Sequence, residues 1–460
     1  MDHPVLLHIE SSVLYFTGNQ SIKVKPYLKI MKGLTVLTGR NGSGKSTFAR
    51  ILERGRNFRT NSILPEENRY PNIRCLEFND VHSFTGLSVS YYQQRYEATM
   101  NEDVPFVADI LGDKAQSHSF KEWRKLLGLQ NIEKKRVNYL SSGELRKLLI
   151  INVLLESPDL LVLDNPYIGL DISSKEILDT ALLRLKNEGR SLLLILPEKS
   201  ESPEFADHFL YAENLAISDE EPLIQKDPYN SFHFESKPGR LEKLVEMKDC
   251  QVKYGNTIVI DNLNWIVRAG ERWCLSGPNG SGKSTLLSLI NADNPKSYSN
   301  NISLFGIKRG SGESIWDIKR NIGYVSPEMQ MHFHGSGTVL QIIANGLNDT
   351  VGLFVKPTAT QIKKAEKWLE HFRIKHLKDR LFSTLSSGER QLVLVARAMI
   401  KQPRLLILDE PMHALDSEHL QLVQSTISEF LDSNKNGAMI IVTHNPNELP
   451  SDITFLHKKL

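Results

Sequence analysis

Two stretches of this 460-residue chain have the residue types and spacing needed to hold a polyphosphate. They are Gly39-Arg40-Asn41-Gly42-Ser43-Gly44-Lys45-Ser46-Thr47 and Gly277-Pro278-Asn279-Gly280-Ser281-Gly282-Lys283-Ser284-Thr285. Both fit Gly-x-x-x-x-Gly-Lys-Ser. The glycines let the backbone curl so that successive N–H groups face the phosphates, and a helix start adds partial positive charge. Lys45 and Lys283 are expected to reach the β- and γ-phosphates, and the Ser46 and Ser284 hydroxyls to ligate Mg²⁺. ATP and Mg²⁺ are the cofactors this chemistry implies.

Downstream of each loop an apolar run ends in a carboxylate, Leu160 to Asp164 and Leu405 to Asp409. A carboxylate placed there is costly without a cation or donor beside it, so Asp164 and Asp409 are candidates for the metal side of each site. Upstream of each aspartate lies Leu-Ser-Ser-Gly-Glu: Ser141-Ser142-Gly143-Glu144 and Ser386-Ser387-Gly388-Glu389 after their leucines. Ser141 with Glu144, and Ser386 with Glu389, have the spacing of capping boxes, which start helices.

These motifs must be held by elements that also repeat. The phosphate loops are 238 residues apart (277 − 39) and the strand aspartates 245 (409 − 164). Gly169-Leu170-Asp171 returns as Ala414-Leu415-Asp416 at the second spacing. The chain is therefore a tandem repeat, with cassettes expected at 1–218 and 243–460. The proline-broken stretch 219–242 reads as a linker. Leu34 to Thr38 and Arg272 to Ser276 read as short strands running into the loops, and Lys147 to Leu155 and Arg390 to Ile400 as helices. Strands alternating with helices indicate an α/β class with a mainly parallel sheet. The 46 residues from Gln94 to Leu140 (140 − 94) show helical patterns only, which suggests a helical subdomain in each half.

The order of these motifs resembles the ABC ATPase family, twice over and across essentially the whole chain. The resemblance implies P-loop cassettes that close face to face, each ATP lying between one cassette's phosphate loop and the other's Leu-Ser-Ser-Gly-Glu signature. One chain would then supply both members of the pair. The resemblance assigns Tyr254 to adenine stacking, with Tyr15 or Phe16 in that role in the first half. It also asks for a glutamate after the strand aspartate and a histidine after the next strand. The second half has both, Glu410 and His444, as catalytic candidates. The first half has Asn165 and, by alignment, Pro197, so it is expected to bind ATP and hydrolyse it slowly. The family's metal- and water-sensing glutamine matches Gln94, with Gln93 as the alternative, in Val89 to Gln94. The second half has Pro327 in its place, with Glu328 or Gln330 as substitutes.

Tyr298 to Lys319 resembles the second cassette of the family's molybdenum-transport ATP-binding proteins. That implies the ATPase component of an importer, partnered by integral-membrane permease subunits. Soluble ABC proteins acting on ribosomes or in nucleic-acid repair are the alternatives. Composition bears on these. The 56 basic residues nearly balance 54 acidic ones, so a nucleic-acid partner is not expected. The triplet Lys134-Lys135-Arg136 reads as a solvated helix end. The scattered Cys75, Cys250 and Cys274 form no zinc or disulfide pattern and fit a reducing compartment. No signal peptide is expected from the N-terminal residues, and no membrane span from apolar runs far shorter than about 20 residues. The location expected is cytoplasmic, or peripheral on the cytoplasmic face of the inner membrane.

Overall fold

The computed structural model describes residues 4–15, 21–54, 63–66, 69–77, 105–137, 140, 142–167, 170, 172–222, 234, 242–254, 257–327, 329, 337–349, 356–445 and 448–460. They divide into two compact units, one ending at 222 and one starting at 234. Most of the expected linker lies outside the described residues.

In the first unit five parallel strands lie in the order Ile73–Glu77, Leu160–Asp164, Ser191–Leu196, Leu34–Gly39, His208–Glu213. Ala216–Ser218, Ser21–Val24 and Val13–Tyr15 extend this sheet, and a small antiparallel sheet joins Leu28–Met31, Val5–Ile9 and Ile63–Pro65. The central strands are unbroken apolar runs because both faces are covered: Leu160 to Leu163 and Leu192 to Leu196 are all buried. The helix Lys45–Arg54 buries Phe48, Ala49, Ile51 and Leu52 against one face.

The second unit repeats the arrangement. Its parallel strands run Ile322–Val325, Leu405–Asp409, Ala438–Val442, Arg272–Ser276, Leu456–Lys459. An antiparallel sheet built on the long strands Lys243–Tyr254 and Thr257–Arg268 joins them. The helix Ser387–Met399 starts on the expected capping box: Ser386 N–H donates to Glu389 Oε2 (2.7 Å), and Glu389 N–H donates back to Ser386 Oγ (3.3 Å). Helical segments His118–Leu126 and Val339–Asn345 with Ala359–His371 lie where the helical subdomains were expected.

The strand paired with Leu160–Asp164 is Ile73–Glu77, the topological counterpart of Ile322–Val325. Strand identity was set by pairing across the sheet, which a local pattern of apolar residues does not encode. Gln93 and Gln94 themselves lie outside the described residues, as do Glu328 and Gln330.

Candidate functional site

Each phosphate loop is the turn between a central strand and a helix: 40–44 before Lys45–Arg54, and 277–282 before Lys283–Ile290. Arg40, Asn41, Gly42, Ser43 and Gly44 form the first turn, and Pro278 through Gly282 the body of the second, with Thr47 and Thr285 in the helix that follows. The glycine that opens each loop is required by close packing. Gly39 has φ +148°, and a Cβ there would stand 2.0 Å from the carbonyl oxygen of Ala212 on the neighbouring strand. Gly277 has φ +154°, with Leu460 O at 2.9 Å from the same point.

The lysines are laid across the loops. Lys45 Nζ donates to the carbonyls of Gly39 and Arg40 (2.9 Å to the latter), and Lys283 Nζ donates to Gly277 O (2.7 Å) and Pro278 O (3.0 Å). Both are almost fully buried. In this position each ammonium is held over the curled backbone where phosphate oxygens would enter.

The oxygens that would meet Mg²⁺ converge in the first unit. Ser46 Oγ–H donates to Asp164 Oδ2 at 2.5 Å. Burial pushes the Asp164 carboxyl up to about 6, against the opposing pull of the Ser46 hydrogen bond and of Lys45 and Arg50; Glu77 adds to the rise. Two hard oxygen donors, one of them a carboxyl starved of solvation, fit a magnesium ion. In the second unit Asp409 ends its strand buried, and Ser284 stands in the first turn of its helix.

The two strand ends then diverge. Asn165 and Glu410 share one backbone arrangement: φ +52° and +49°, each N–H donating to the adjacent strand (Ile195 O and Val442 O, both 2.9 Å). Their side chains do different things. Asn165 Nδ2 turns back to donate to Asp164 Oδ1 (3.1 Å). The Glu410 carboxylate lies between two imidazoles, with His444 Nε2 3.3 Å from Oε1 and His413 Nδ1 3.2 Å from Oε2. Beyond them Glu448 accepts from Thr443 Oγ1 (2.6 Å), and its carboxyl is pushed up, chiefly by burial.

His413 and Glu448 were not singled out by motif. His413 stands three residues after Glu410, and that spacing across a tight turn was the available signal. The remaining expected residues are placed as follows. Tyr254 is half-buried; its hydroxyl accepts from Asn294 Nδ2 (2.9 Å), and the Lys296 ammonium sits 5.7 Å from the ring centroid. Tyr15 is 53% exposed, so it is no core aromatic, while Phe16 lies outside the described residues. In the first signature Ser141 lies outside them too; Ser142 and Gly143 open the helix Ser142–Leu154, and Glu144 accepts from Lys135 Nζ (2.6 Å). Ser387 and Gly388 occupy the first turn of the second signature helix.

A family model described as ABC transporter matches residues 28–168 and 260–413, taking in both phosphate loops and both strand-end aspartates. The chain belongs to the ABC transporter family. As a member of that family it is a twin-cassette, ATP-binding protein. An Escherichia coli relative named ABC transporter ATP-binding protein ModF is 34% identical over 448 residues, covering 90% of this chain and 89% of its own length. An uncharacterized ABC transporter ATP-binding protein of Schizosaccharomyces pombe is 31% identical over 446 residues, 90% of each chain. Among solved structures, a model of ribosome-bound archaeal Pelota and ABCE1 matches 95% of this chain and 74% of that one, with a TM-score of 0.56 and 20% identity. The chain titled RNase-L Inhibitor matches with a TM-score of 0.51 at 20% identity, covering 95% of this chain and 86% of that one. Both share the ABC transporter family's tandem fold. Among the described residues no helix is long and apolar enough to cross a membrane.

Proposed function

We propose that this chain is an ATPase with one hydrolysing and one nucleotide-holding cassette, the cassettes being 243–460 and 1–218 with 219–242 between them. The observation that supports it is the contrast at the two strand ends. Glu410 presents a carboxylate flanked by His444, whereas Asn165 presents a neutral amide and Pro197 takes the histidine's place by alignment. In the second cassette Lys283 would bind the β- and γ-phosphates, with Ser284 and Asp409 on Mg²⁺ and Tyr254 against the base. A water oxygen would bond to the γ-phosphorus as the bond to the β–γ bridging oxygen breaks. The water's proton would pass to Glu410, and ADP and phosphate would leave. Mg²⁺, when bound, neutralises charge on the phosphate oxygens. In the first cassette Lys45, Ser46 and Asp164 would hold MgATP, and the missing base would leave it intact.

Nucleotide trapping tests this. The purified chain is incubated with MgATP, stripped rapidly of free nucleotide and its bound nucleotide identified. About one ADP is expected for each ATP retained. ADP alone, at twice the stoichiometry, would sink the asymmetry.

We further propose that the ATPase serves a membrane transporter, of the molybdate-import type that the resemblance of Tyr298 to Lys319 implies. Since no described helix spans a bilayer, a separate permease must do so. Affinity purification from the native cell in mild detergent is expected to recover an integral-membrane permease. Recovery of ribosomal proteins instead would overturn the transport role.

A further inference from the structure

We propose that His413 is a positioning residue for the Glu410 carboxylate, an inference that rests on reading Glu410 as the base for ATP hydrolysis. The turn that carries both residues is fixed from several sides. Glu410 N–H is bonded to Val442 O (2.9 Å), and His413 N–H closes the turn on Glu410 O (3.3 Å). From the signature helix Gln391, itself 1% exposed, donates through Nε2 to Glu410 O (3.2 Å) and Pro411 O (2.8 Å). A backbone held this way brings the His413 ring back over the side chain three residues earlier.

The consequence lies in how the carboxylate is held. A glutamate side chain rotates broadly about its last bond unless both oxygens are engaged. Here each oxygen faces its own imidazole: Oε1 lies 3.3 Å from His444 Nε2, which makes no hydrogen bond, and Oε2 lies 3.2 Å from His413 Nδ1. All three side chains are at least three-quarters buried, at 15, 21 and 14% exposed for Glu410, His444 and His413. From 3.2 Å a small turn of the His413 ring would let Nδ1–H donate to Oε2, which would hold Oε1 on the His444 side to accept a proton from water. A misplacement of about 1 Å at a reacting group can cost on the order of a hundredfold in rate. The repeat supplies an internal control. At the 245-residue offset His413 corresponds to Ile168 (413 − 245), which cannot donate a hydrogen bond, and Glu410 corresponds to Asn165. The donor is present where the carboxylate is present and absent where it is absent.

The test uses the full chain and steady-state ATP turnover. His413→Ala is expected to lower kcat roughly ten- to a hundredfold, the range for losing a hydrogen bond to a charged group, with KM for ATP within about twofold. His413→Asn, whose amide N–H stands close to where Nδ1 was, is expected to restore most of kcat, and His413→Leu to restore none. Thermal unfolding midpoints of the Asn and Leu variants should match. Wild-type kcat in His413→Ala overturns the inference, and so does equal loss in the Asn and Leu variants. Glu410→Gln serves as the separating control. If it retains wild-type turnover, the base assignment itself fails and takes this inference with it. If it is inactive while His413→Leu is fully active, only the positioning role fails.

Discussion

Replacing Glu410 with glutamine is expected to lower steady-state ATP turnover by about 10²–10⁴-fold, the usual cost of losing a general base. The change keeps the side chain's volume and leaves the phosphate loop at Gly277 to Thr285 untouched, so ATP binding should stay near the wild-type level. The loss falls on the chemical step: an amide cannot take the proton from water, although it can still meet His444 and His413. The reciprocal change, Asn165→Glu, is expected to return little. It restores a carboxylate on a backbone of the same shape, φ +52° against +49°. By alignment, however, Pro197 and Ile168 take the positions of His444 and His413. Phosphate release and equilibrium ATP binding measured on the two variants check the pair. Unchanged turnover in Glu410→Gln would refute the assignment.

Glu313→Gln is expected to destabilise the second unit by about 3–5 kcal/mol, the range for breaking one side of a buried ion pair. Arg309 and Glu313 are 0 and 3% exposed and lie 2.5 Å apart. The carboxylate also accepts from the N–H groups of Gly310 (3.0 Å) and Ser311 (2.9 Å), while the guanidinium stacks 4.4 Å from the Tyr298 ring centroid. Glutamine leaves the guanidinium buried without its counter-charge. Four of the five tryptophans, Trp265, Trp273, Trp316 and Trp368, are in this unit, so denaturant unfolding followed by tryptophan fluorescence reports mainly on it. Replacing both partners with methionine should recover most of the loss; no recovery would show that the cost is not electrostatic. The pH dependence has a definite sign. Burial opposes ionisation of Glu313, yet the backbone N–H groups and Arg309 outweigh it and hold the carboxyl below its ordinary 4.5. Its stabilisation is therefore complete above about that pH and is lost as the pH falls through the lowered value.

The parts of the fold legible in the sequence are the ones encoded by contiguous residues. The phosphate loops, the apolar strands Leu160 to Leu163 and Leu405 to Leu408, and the Ser386–Glu389 capping box each need only a short window, and the repeat doubles every one of them. What was illegible depends on contacts made across the chain. The strand beside Leu160–Asp164 proved to be Ile73–Glu77, chosen by its pairing register and not by any motif of its own. His413 is unremarkable as a residue in a loop, and becomes significant only because Glu410 adopts a left-handed backbone that folds the turn back on itself. Arg309 and Glu313 look like an ordinary surface pair four apart in a glycine-rich loop. Their burial depends on Ser297 and Tyr298, whose arrangement the sequence does not announce.

The left-handed backbone shared by Asn165 and Glu410 makes the two cassettes unequal in how easily each could change. Asparagine enters that region more readily than glutamate, whose longer side chain gives no local compensation, and the difference is on the order of 1 kcal/mol. Folding alone thus favours the amide at this turn. On the proposed reading, a duplicated cassette drifting from glutamate to asparagine would move downhill in stability while it stopped hydrolysing. The return journey is uphill and needs two supporting imidazoles as well. On the proposed reading, retirement of a site within one polypeptide would be close to a ratchet, and the hydrolysing copy would be the one that keeps its backbone under tension.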